Sequence, residues 1–186
     1  TSKKVKNQYE ENPYPRWLSV PKNLKKMKYG EYINNSLFKK IPKKEIDSIS
    51  DILIAGCGTG RHPAMIAAVD RDIQITAIDI SKSSLSYGKR MAKKLDLQNI
   101  RWAQADILEL DNIKNQYDLI ESVGVIHHMK DPKKGFESLD RRLKKNGLLK
   151  LGLYARYFRK ARLGPIKNYI AVNKLPPTIE SIRKVR

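Results

Sequence analysis

Apolar residues in the middle of the chain fall into short continuous runs, and each run ends in a polar or glycine-rich turn. Five of these runs are predicted strands, and they cover residues 52–55, 73–78, 100–105, 117–123 and 148–153. A short apolar run bounded by turn residues is typical of a strand that is buried on both faces of a parallel sheet.

The intervals between these runs carry apolar residues at helical spacing. One helix is predicted from His62 to Val69, and a second begins after Ser81, whose hydroxyl suits the N-cap position. Asp131 and Pro132 open a third helix, because aspartate is favoured at the N-cap and proline at the first helical position.

The third helix has an expected apolar face and an expected end. The face consists of Phe136, Leu139 and Leu143, and Gly147 is expected to end the helix in a left-handed conformation. Strands that alternate with helical crossovers predict an α/β fold, a Rossmann-like doubly wound parallel sheet with helices on both faces.

Two segments lie outside this alternation, which occupies residues 51–154. Residues 1–50 are basic and irregular, and we expect an arm or lid with one or two short helices between Ser19 and Ile46. Residues 155–186 predict two basic helices, separated by a Leu-Pro-Pro sequence and restarted by a Thr178 cap.

A glycine-rich turn follows the first predicted strand and precedes the first helix. Its glycines are Gly56, Gly58 and Gly60, with Cys57 between the first two. Glycine lets the backbone turn sharply and approach a ligand closely, and the following helix N-terminus favours a negative group. The strand–turn–helix context predicts a ligand site at this turn.

The spacing of the glycines separates several ligand classes. A dinucleotide fingerprint, G-x-G-x-x-G, requires its third glycine at position 61, which is Arg61 here. The G-x-G-x-G spacing therefore disfavours a nicotinamide or flavin oxidoreductase and suits a smaller nucleoside ligand. No Gly-Lys-Ser/Thr follows at the interval of a phosphate-binding P-loop.

Two aspartates follow neighbouring predicted strands. Asp79 ends the second strand, where an acidic side chain can accept hydrogen bonds from both ribose hydroxyls. Asp106 follows the third strand and is placed to accept from an exocyclic amine such as adenine N6. Ligands bind at the carboxyl ends of strands in open α/β sheets, so these side chains and the glycine turn predict an adenosyl site.

Five segments together resemble the successive motifs of class I S-adenosylmethionine (SAM)-dependent methyltransferases. They are residues 51–60, 77–81, 105–107, 117–121 and 124–132. The resemblance covers residues 51–154, and its most specific parts are the glycine turn and Asp79. The family sheet usually ends with a sixth strand and an antiparallel seventh, for which this chain has no convincing candidate. Either the chain is a piece of a longer protein or the basic helices replace these strands.

The flanks resemble a narrower group within that family. Residues 9–17, 152–154 and 176–183 are similar to the methyltransferase domains that follow tetratricopeptide repeats in some bacterial proteins. No such repeat is present in this sequence.

The resemblance implies SAM as the cofactor and a role for each matching position. Gly56, Cys57, Gly58 and Gly60 would lie beside the methionine part of SAM. Asp79 would hold the ribose, with Ile80 packed on the adenine, while Asp106 and Ile107 would recognise the adenine edge. The residues that would line the floor near the sulfonium are Glu121, Ser122 and Val123.

Composition and charge do not identify the methyl acceptor. The net charge is +19, which either reflects a solvated lysine-rich surface or indicates a nucleic-acid partner. No apolar run approaches the roughly 18 residues of a membrane-spanning helix, so we predict a soluble protein without a membrane partner. Cys57 is the only cysteine, which fits a reducing, cytoplasmic location.

Methyl transfer requires little beyond holding donor and acceptor in line, so the sequence identifies only weak catalytic candidates. His127 is either a base near the acceptor or a packed loop residue, and its pairing with His128 makes a poor metal site, so no metal is predicted. Tyr14, with Tyr9 and Trp17, either covers SAM as a lid or fastens the arm to the sheet.

These observations predict a SAM-dependent methyltransferase with an unidentified, small-molecule acceptor. The alternative is a catalytically incomplete module of the same fold that binds RNA or an acidic partner through its basic surface.

Overall fold

The computed structural model describes residues 7, 9–21, 24–36, 40–112, 114–176 and 178–185. The chain divides into two compact units, Thr1–Gly152 and Leu153–Arg186. The first unit includes both the segment expected to form an arm and the predicted sheet. The boundary between the units lies two residues before the predicted end of the sheet domain.

A parallel five-stranded sheet forms the centre of the first unit, as the apolar runs predicted. Its strands are β1 (Asp51–Ala55), β2 (Gln74–Asp79), β3 (Ile100–Gln104), β4 (Tyr117–Val123) and β5 (Leu143–Gly152). The strand order is β3-β2-β1-β4-β5, and all four pairings are parallel. The order reverses between β1 and β4, which places a crevice at the carboxyl ends of these two strands.

Helices connect the strands and precede them, as in a Rossmann-like fold. In the first unit they are α1 (Tyr29–Ser36), α2 (Lys43–Asp47), α3 (Arg61–Val69), α4 (Lys82–Lys94) and α5 (Pro132–Asp140). Short 3₁₀ segments cover Ile107–Asn112, which is kinked at Glu109, and Ile126–His128. Both predicted caps are confirmed: the Ser81 hydroxyl accepts from the Ser84 N–H, and the Asp131 carboxylate accepts from the Lys134 N–H.

Alternating residues of the central strands fill two hydrophobic cores, one on each face of the sheet. Ile52 and Ile54 of β1 lie in the first core, and Leu53 and Ala55 lie in the second. The N-terminal segment contributes buried residues to the first core, namely Trp17, Tyr29, Ile33, Ile46 and Ile49. The described part of this segment is therefore packed on the sheet domain.

The predicted apolar face of the third helix is wrong at two of its three positions. Leu139 is fully buried, but Phe136 is 42% exposed and Leu143 lies in β5 rather than in the helix. Helix α5 ends at Asp140. Gly135 and Ser138 share its buried face, because small residues allow the helix to lie close to the sheet.

Gly147 does not end a helix but lies in an irregularity of β5. Tyr117 of β4 pairs with Leu143, whereas Leu119 pairs with Leu148, so β5 carries additional residues between these pairs. A Cβ at position 147 would lie 3.1 Å from the Tyr117 carbonyl oxygen. The close approach of the two backbones explains the glycine, and Asn146 beside it has the positive φ of 64°.

The second unit contains the two predicted helices, α6 (Arg156–Val172) and α7 (Ile179–Val185). The Thr178 hydroxyl accepts a hydrogen bond from the Ser181 N–H, which confirms the predicted cap. No further strand follows β5 in the described residues up to 185. Within the described ranges, none of the helices combines the length and apolarity needed to cross a bilayer.

Trp102 of β3 packs into a space that two glycines leave open, and this packing yields a stability prediction. A Cβ at Gly88 of α4 would lie 2.7 Å from the Trp102 ring and 3.0 Å from the Thr59 carbonyl oxygen. We expect Gly88→Ala to lower the free energy of unfolding by about 1–3 kcal/mol through overpacking, although alanine is the better helix former. The exposed Ser86→Ala on the same helix is the control and should leave stability unchanged or slightly raised. Urea denaturation that ranks Gly88→Ala above the wild type would contradict this packing.

Candidate active site

The glycine turn is built on backbone hydrogen bonds to the neighbouring strand. The N–H groups of Gly56 and Cys57 both donate to the Ile78 carbonyl at 2.9 Å. The Gly60 N–H then donates to the Cys57 carbonyl at 3.0 Å, which closes the turn before α3 begins. The turn is therefore fixed to the carboxyl end of β2.

The conformation of this turn requires glycine, as positions 58 and 60 illustrate. Gly58 has a φ of 54°, and a Cβ there would lie 3.2 Å from the Tyr14 carbonyl oxygen. Gly60 has a φ of 80°, and a Cβ there would overlap the Trp102 ring. Side chains rarely adopt this left-handed region, so both the backbone conformation and the available space select glycine.

Asp79 joins the turn to the end of β2. Its Oδ2 accepts from the Gly58 N–H at 2.8 Å, and its Oδ1 accepts from the Ser81 N–H at 2.9 Å. Burial raises the pKa of this carboxyl above its usual value, although these N–H groups act in the opposite direction, and the nearby Glu10 raises it further. A poorly solvated carboxylate gains from additional donors, and its remaining lone pairs can accept the two hydroxyls of a ribose.

Asp106 and Ile107, the two residues predicted to recognise the adenine edge, lie beside Asp79. The Ala105 N–H donates to the Asp79 carbonyl at 3.1 Å, which places Asp106 at the same rim of the sheet. Asp106 Oδ1 accepts from the Leu108 N–H at 3.0 Å, so the carboxylate also caps the following 3₁₀ segment. The Ile107 side chain is buried in the second core. Ile80 is half-buried in the loop after β2, where its carbonyl accepts from the Gln104 side chain.

The three predicted floor residues at the end of β4 differ in orientation. Ser122 is buried, and its hydroxyl donates to the Ala55 carbonyl at 3.1 Å, which ties β4 to β1. Val123 is 56% exposed at the end of the strand and is followed by Gly124, with a φ of 75°. Glu121 is only 1% exposed and faces the first core, so it lies below the rim.

A cluster of polar side chains surrounds Glu121, and sequence reasoning did not assign these partners. Glu121 Oε1 accepts from the Tyr29 hydroxyl at 2.8 Å, and Oε2 lies 2.7 Å from His62 Nε2 and 3.2 Å from Lys150 Nζ. Burial alone would raise the pKa of this carboxyl, but His62, Lys150 and Tyr29 outweigh burial and lower it. The sequence does contain one signal for such a cluster. It is a glutamate inside an apolar strand, because a buried carboxylate requires partners.

The N-terminal segment crosses the rim of the sheet at two places. Near its start, the Tyr9 carbonyl accepts from the Ser81 hydroxyl at 3.1 Å, and the Glu10 carbonyl accepts from the Ser83 hydroxyl at 2.7 Å. Further along, the Trp17 indole N–H donates to the Thr59 carbonyl at 2.8 Å. The segment thus runs from the loop after β2 to the glycine turn.

The aromatic residues of this segment have different environments. Trp17 is 5% exposed and fastens the segment to the turn, and the Tyr87 hydroxyl donates to its carbonyl at 2.5 Å. Tyr14 is 65% exposed while its carbonyl lies over Gly58. The Tyr14 side chain is therefore exposed where its backbone passes the glycine turn.

Cys57 and His127 complete the set of predicted site residues. Burial raises the pKa of the Cys57 thiol well above its usual value, which favours the neutral form at physiological pH. His127 lies in the 3₁₀ segment after β4, with its ring centre 4.2 Å from that of His128. In the described part of the chain, no group of three or more His, Cys, Asp or Glu side chains is arranged to hold a metal ion.

A family model described as a methyltransferase domain matches residues 46–177 of this chain. The ubiquinone biosynthesis O-methyltransferase of Rickettsia typhi is 33% identical over 118 residues, covering 63% of this chain and 45% of that protein. The chain spans about a quarter to just under half of the length of the curated relatives it matches.

Solved structures share the fold. Coclaurine N-methyltransferase, bound to N-methylheliamine and S-adenosylhomocysteine (SAH), superposes with a TM-score of 0.51 at 27% identity, over 54% of this chain and 30% of that one. The structure of PKMT2 from Rickettsia typhi in complex with AdoHcy has a TM-score of 0.64 at 19% identity, over 94% of this chain and 33% of that one. The family match and the shared sheet together show that the chain belongs to the class I SAM-dependent methyltransferase family.

Proposed function

We propose that this chain binds SAM at the carboxyl ends of β1, β2 and β4 and transfers its methyl group to a small-molecule acceptor. The observation that carries this proposal is the contact between the Asp79 carboxylate and the Gly58 N–H at 2.8 Å. It brings an under-solvated carboxylate and a sharply turned glycine backbone to one point, which suits a ribose joined to an amino-acid chain.

The residues around this contact suggest how the cofactor would be held. Asp79 would accept the ribose hydroxyls, and the backbone from Gly56 to Gly60 would lie along the methionine part. The N-terminus of α3 favours the methionine carboxylate. Asp106, with the backbone of Ile107, would bind the adenine edge, and Ile80 would pack on its face.

When bound, SAM supplies an electrophilic methyl group on a sulfonium, and the protein contributes mainly by positioning. Val123 is exposed at the end of β4 and would face the methyl group, whereas the buried Ser122 would hold β4 against β1. The sequence left His127 of the following loop as either a base or a packed residue, and the burial of both its ring nitrogens favours the packed role. The matched relatives include both O- and N-methyltransferases, which supports a small-molecule acceptor.

The first prediction concerns Asp79. Asp79→Ala removes two charge-assisted hydrogen bonds to the ribose, so the dissociation constant for SAM should rise by about 100-fold or more in isothermal titration calorimetry. Gly58→Val should also weaken binding, because a side chain at this φ strains the turn. Asp72→Ala, an exposed aspartate paired with Lys28, is the control and should bind SAM like the wild type. A folded wild-type chain that gives no heat with either SAM or SAH contradicts the proposal.

The second prediction concerns Tyr14. If its exposed ring covers the sulfonium through a cation–π contact, Tyr14→Ala should weaken SAM binding by about 2–30-fold. The loss should be smaller for SAH, which lacks the positive charge. Leu18→Ala is the matched control, since Leu18 is 87% exposed in the same segment. Equal losses for SAM and SAH would exclude the cation–π contact.

A further inference from the structure

The cluster around Glu121 lies where the strand order of the sheet reverses. Glu121 of β4 pairs with Ile54 of β1 on one side and with Lys150 of β5 on the other. His62 belongs to the first turn of α3, two residues after Gly60. The His62–Glu121 contact therefore lies just below the carboxyl ends of β1 and β4, next to the crevice in which open α/β sheets bind their ligands.

The hydrogen bonds and charges of the cluster favour one tautomer of a neutral His62. Glu121 is ionised, and Lys150 lies 3.2 Å from Oε2 and supplies the compensating positive charge. Tyr29 donates to the other oxygen as a neutral partner. With a neutral His62 the cluster has no net charge, and Nε2–H donates to Glu121 at 2.7 Å. This tautomer leaves the Nδ1 lone pair as a proton acceptor.

The exposure of His62 distinguishes it from the other members of the cluster. Glu121 and Tyr29 are each 1% exposed, so their polar groups are used entirely within the protein. The His62 side chain is 39% exposed, and its ring thus extends from the buried carboxylate to the solvent side of the crevice. Lys150 is similarly exposed but, as a paired ammonium, has no lone pair.

We propose that His62 is the base that accepts the proton of a hydroxyl acceptor, and that Glu121 is the positioning residue that fixes its tautomer. This role rests on the proposed methyltransferase function. The acceptor oxygen forms a bond to the methyl carbon as the bond from that carbon to sulfur breaks, and the electron pair of the broken bond stays on sulfur. The hydroxyl proton moves to His62 Nδ1 and is later released to water.

The chemistry of an uncharged hydroxyl explains why a base is useful here. A phenol or alcohol is a weak nucleophile until it loses its proton, and a positioned general base contributes about 10²–10⁴-fold to such a step. A carboxylate orienting a histidine through one ring nitrogen is the arrangement that leaves the other nitrogen correctly disposed for proton transfer. Glu121 of β4 contacts His62 directly, and the other charged or titratable groups of the cluster, Tyr29 of α1 and Lys150 of β5, contact Glu121.

Two variants separate this role from a structural one. His62→Gln retains a side-chain N–H that can donate to Glu121 but removes the base, whereas Ile33→Val removes one buried carbon from the first core and leaves the side chains of the Glu121 cluster unchanged. The assay uses SAM labelled in its methyl group, with phenol, catechol and 4-hydroxybenzoate as acceptors. SAM affinity is measured first by calorimetry, so that a failure to bind the cofactor is recognised as a failure of the proposed function itself.

We expect His62→Gln to bind SAM within about twofold of the wild type while kcat falls about 10²–10⁴-fold. The loss should fall on kcat, while the KM for the phenol stays within about twofold of the wild type. Ile33→Val should lose thermal stability yet retain most of the rate.

Several outcomes would overturn the role of His62. They are transfer by His62→Gln at the wild-type rate, a loss in that variant that falls on KM instead of kcat, or no transfer to any of the phenols by a wild-type chain that binds SAM. A second measurement needs no acceptor: ¹⁵N NMR of the SAH complex should show the Nε2–H tautomer of His62 at pH 8. A proton on Nδ1 would contradict the proposal.

Discussion

The hydrogen bond from the Gly58 N–H to the Asp79 carboxylate links the two strands on which the candidate site is built. It is possible only because β1 and β2 are adjacent and end at the same height, so that the turn after β1 reaches the last residue of β2. The same turn places the N-terminus of α3 at the rim and brings His62 over β4. The proposed cofactor contacts and the Glu121 cluster therefore both depend on the backbone conformation of the turn after β1.

The N-terminal segment is held on the sheet by the apolar atoms of its buried residues, and it reaches the candidate site through their polar atoms. Trp17 and Tyr29 are buried in the core, so the segment is stabilised by apolar packing. Their polar groups reach the Thr59 carbonyl and the Glu121 carboxylate, respectively. As a result, the Tyr14 carbonyl is held over the glycine turn, while its ring stays exposed. A segment fixed at both ends can cover a ligand without an additional domain.

The sequence predicted those elements that depend on residues close together in the chain. The apolar runs specified all five strands, and the Ser81, Asp131 and Thr178 caps follow from short-range hydrogen bonds. The glycine spacing and Asp79 also lie within one strand–turn–helix–strand unit, so the sequence predicts a SAM site from them, and the structure brings these groups together. The errors at Leu143 and Gly147 arose where local preference for a helix end yielded to pairing with Tyr117.

The Glu121 cluster was beyond sequence reasoning for a related reason. Its members come from α1, α3, β4 and β5, and the contacts of Glu121 with His62 and Tyr29 span 59 and 92 residues of sequence. A glutamate in a buried strand indicates that partners exist, but their identity depends on how the helices pack on the sheet. Glu121 faces the first core because side chains alternate along β4 and Leu119, two residues earlier, lies in that core.

The central claim is that Asp79 and the glycine turn form one adenosyl site, and a crystal structure of the chain with SAH tests it most directly. The account predicts both ribose hydroxyl oxygens within about 2.5–3.0 Å of the Asp79 carboxylate, with the homocysteine part along Gly56–Gly60. A ligand bound elsewhere, with Asp79 still contacting only Gly58 and Ser81, would contradict it.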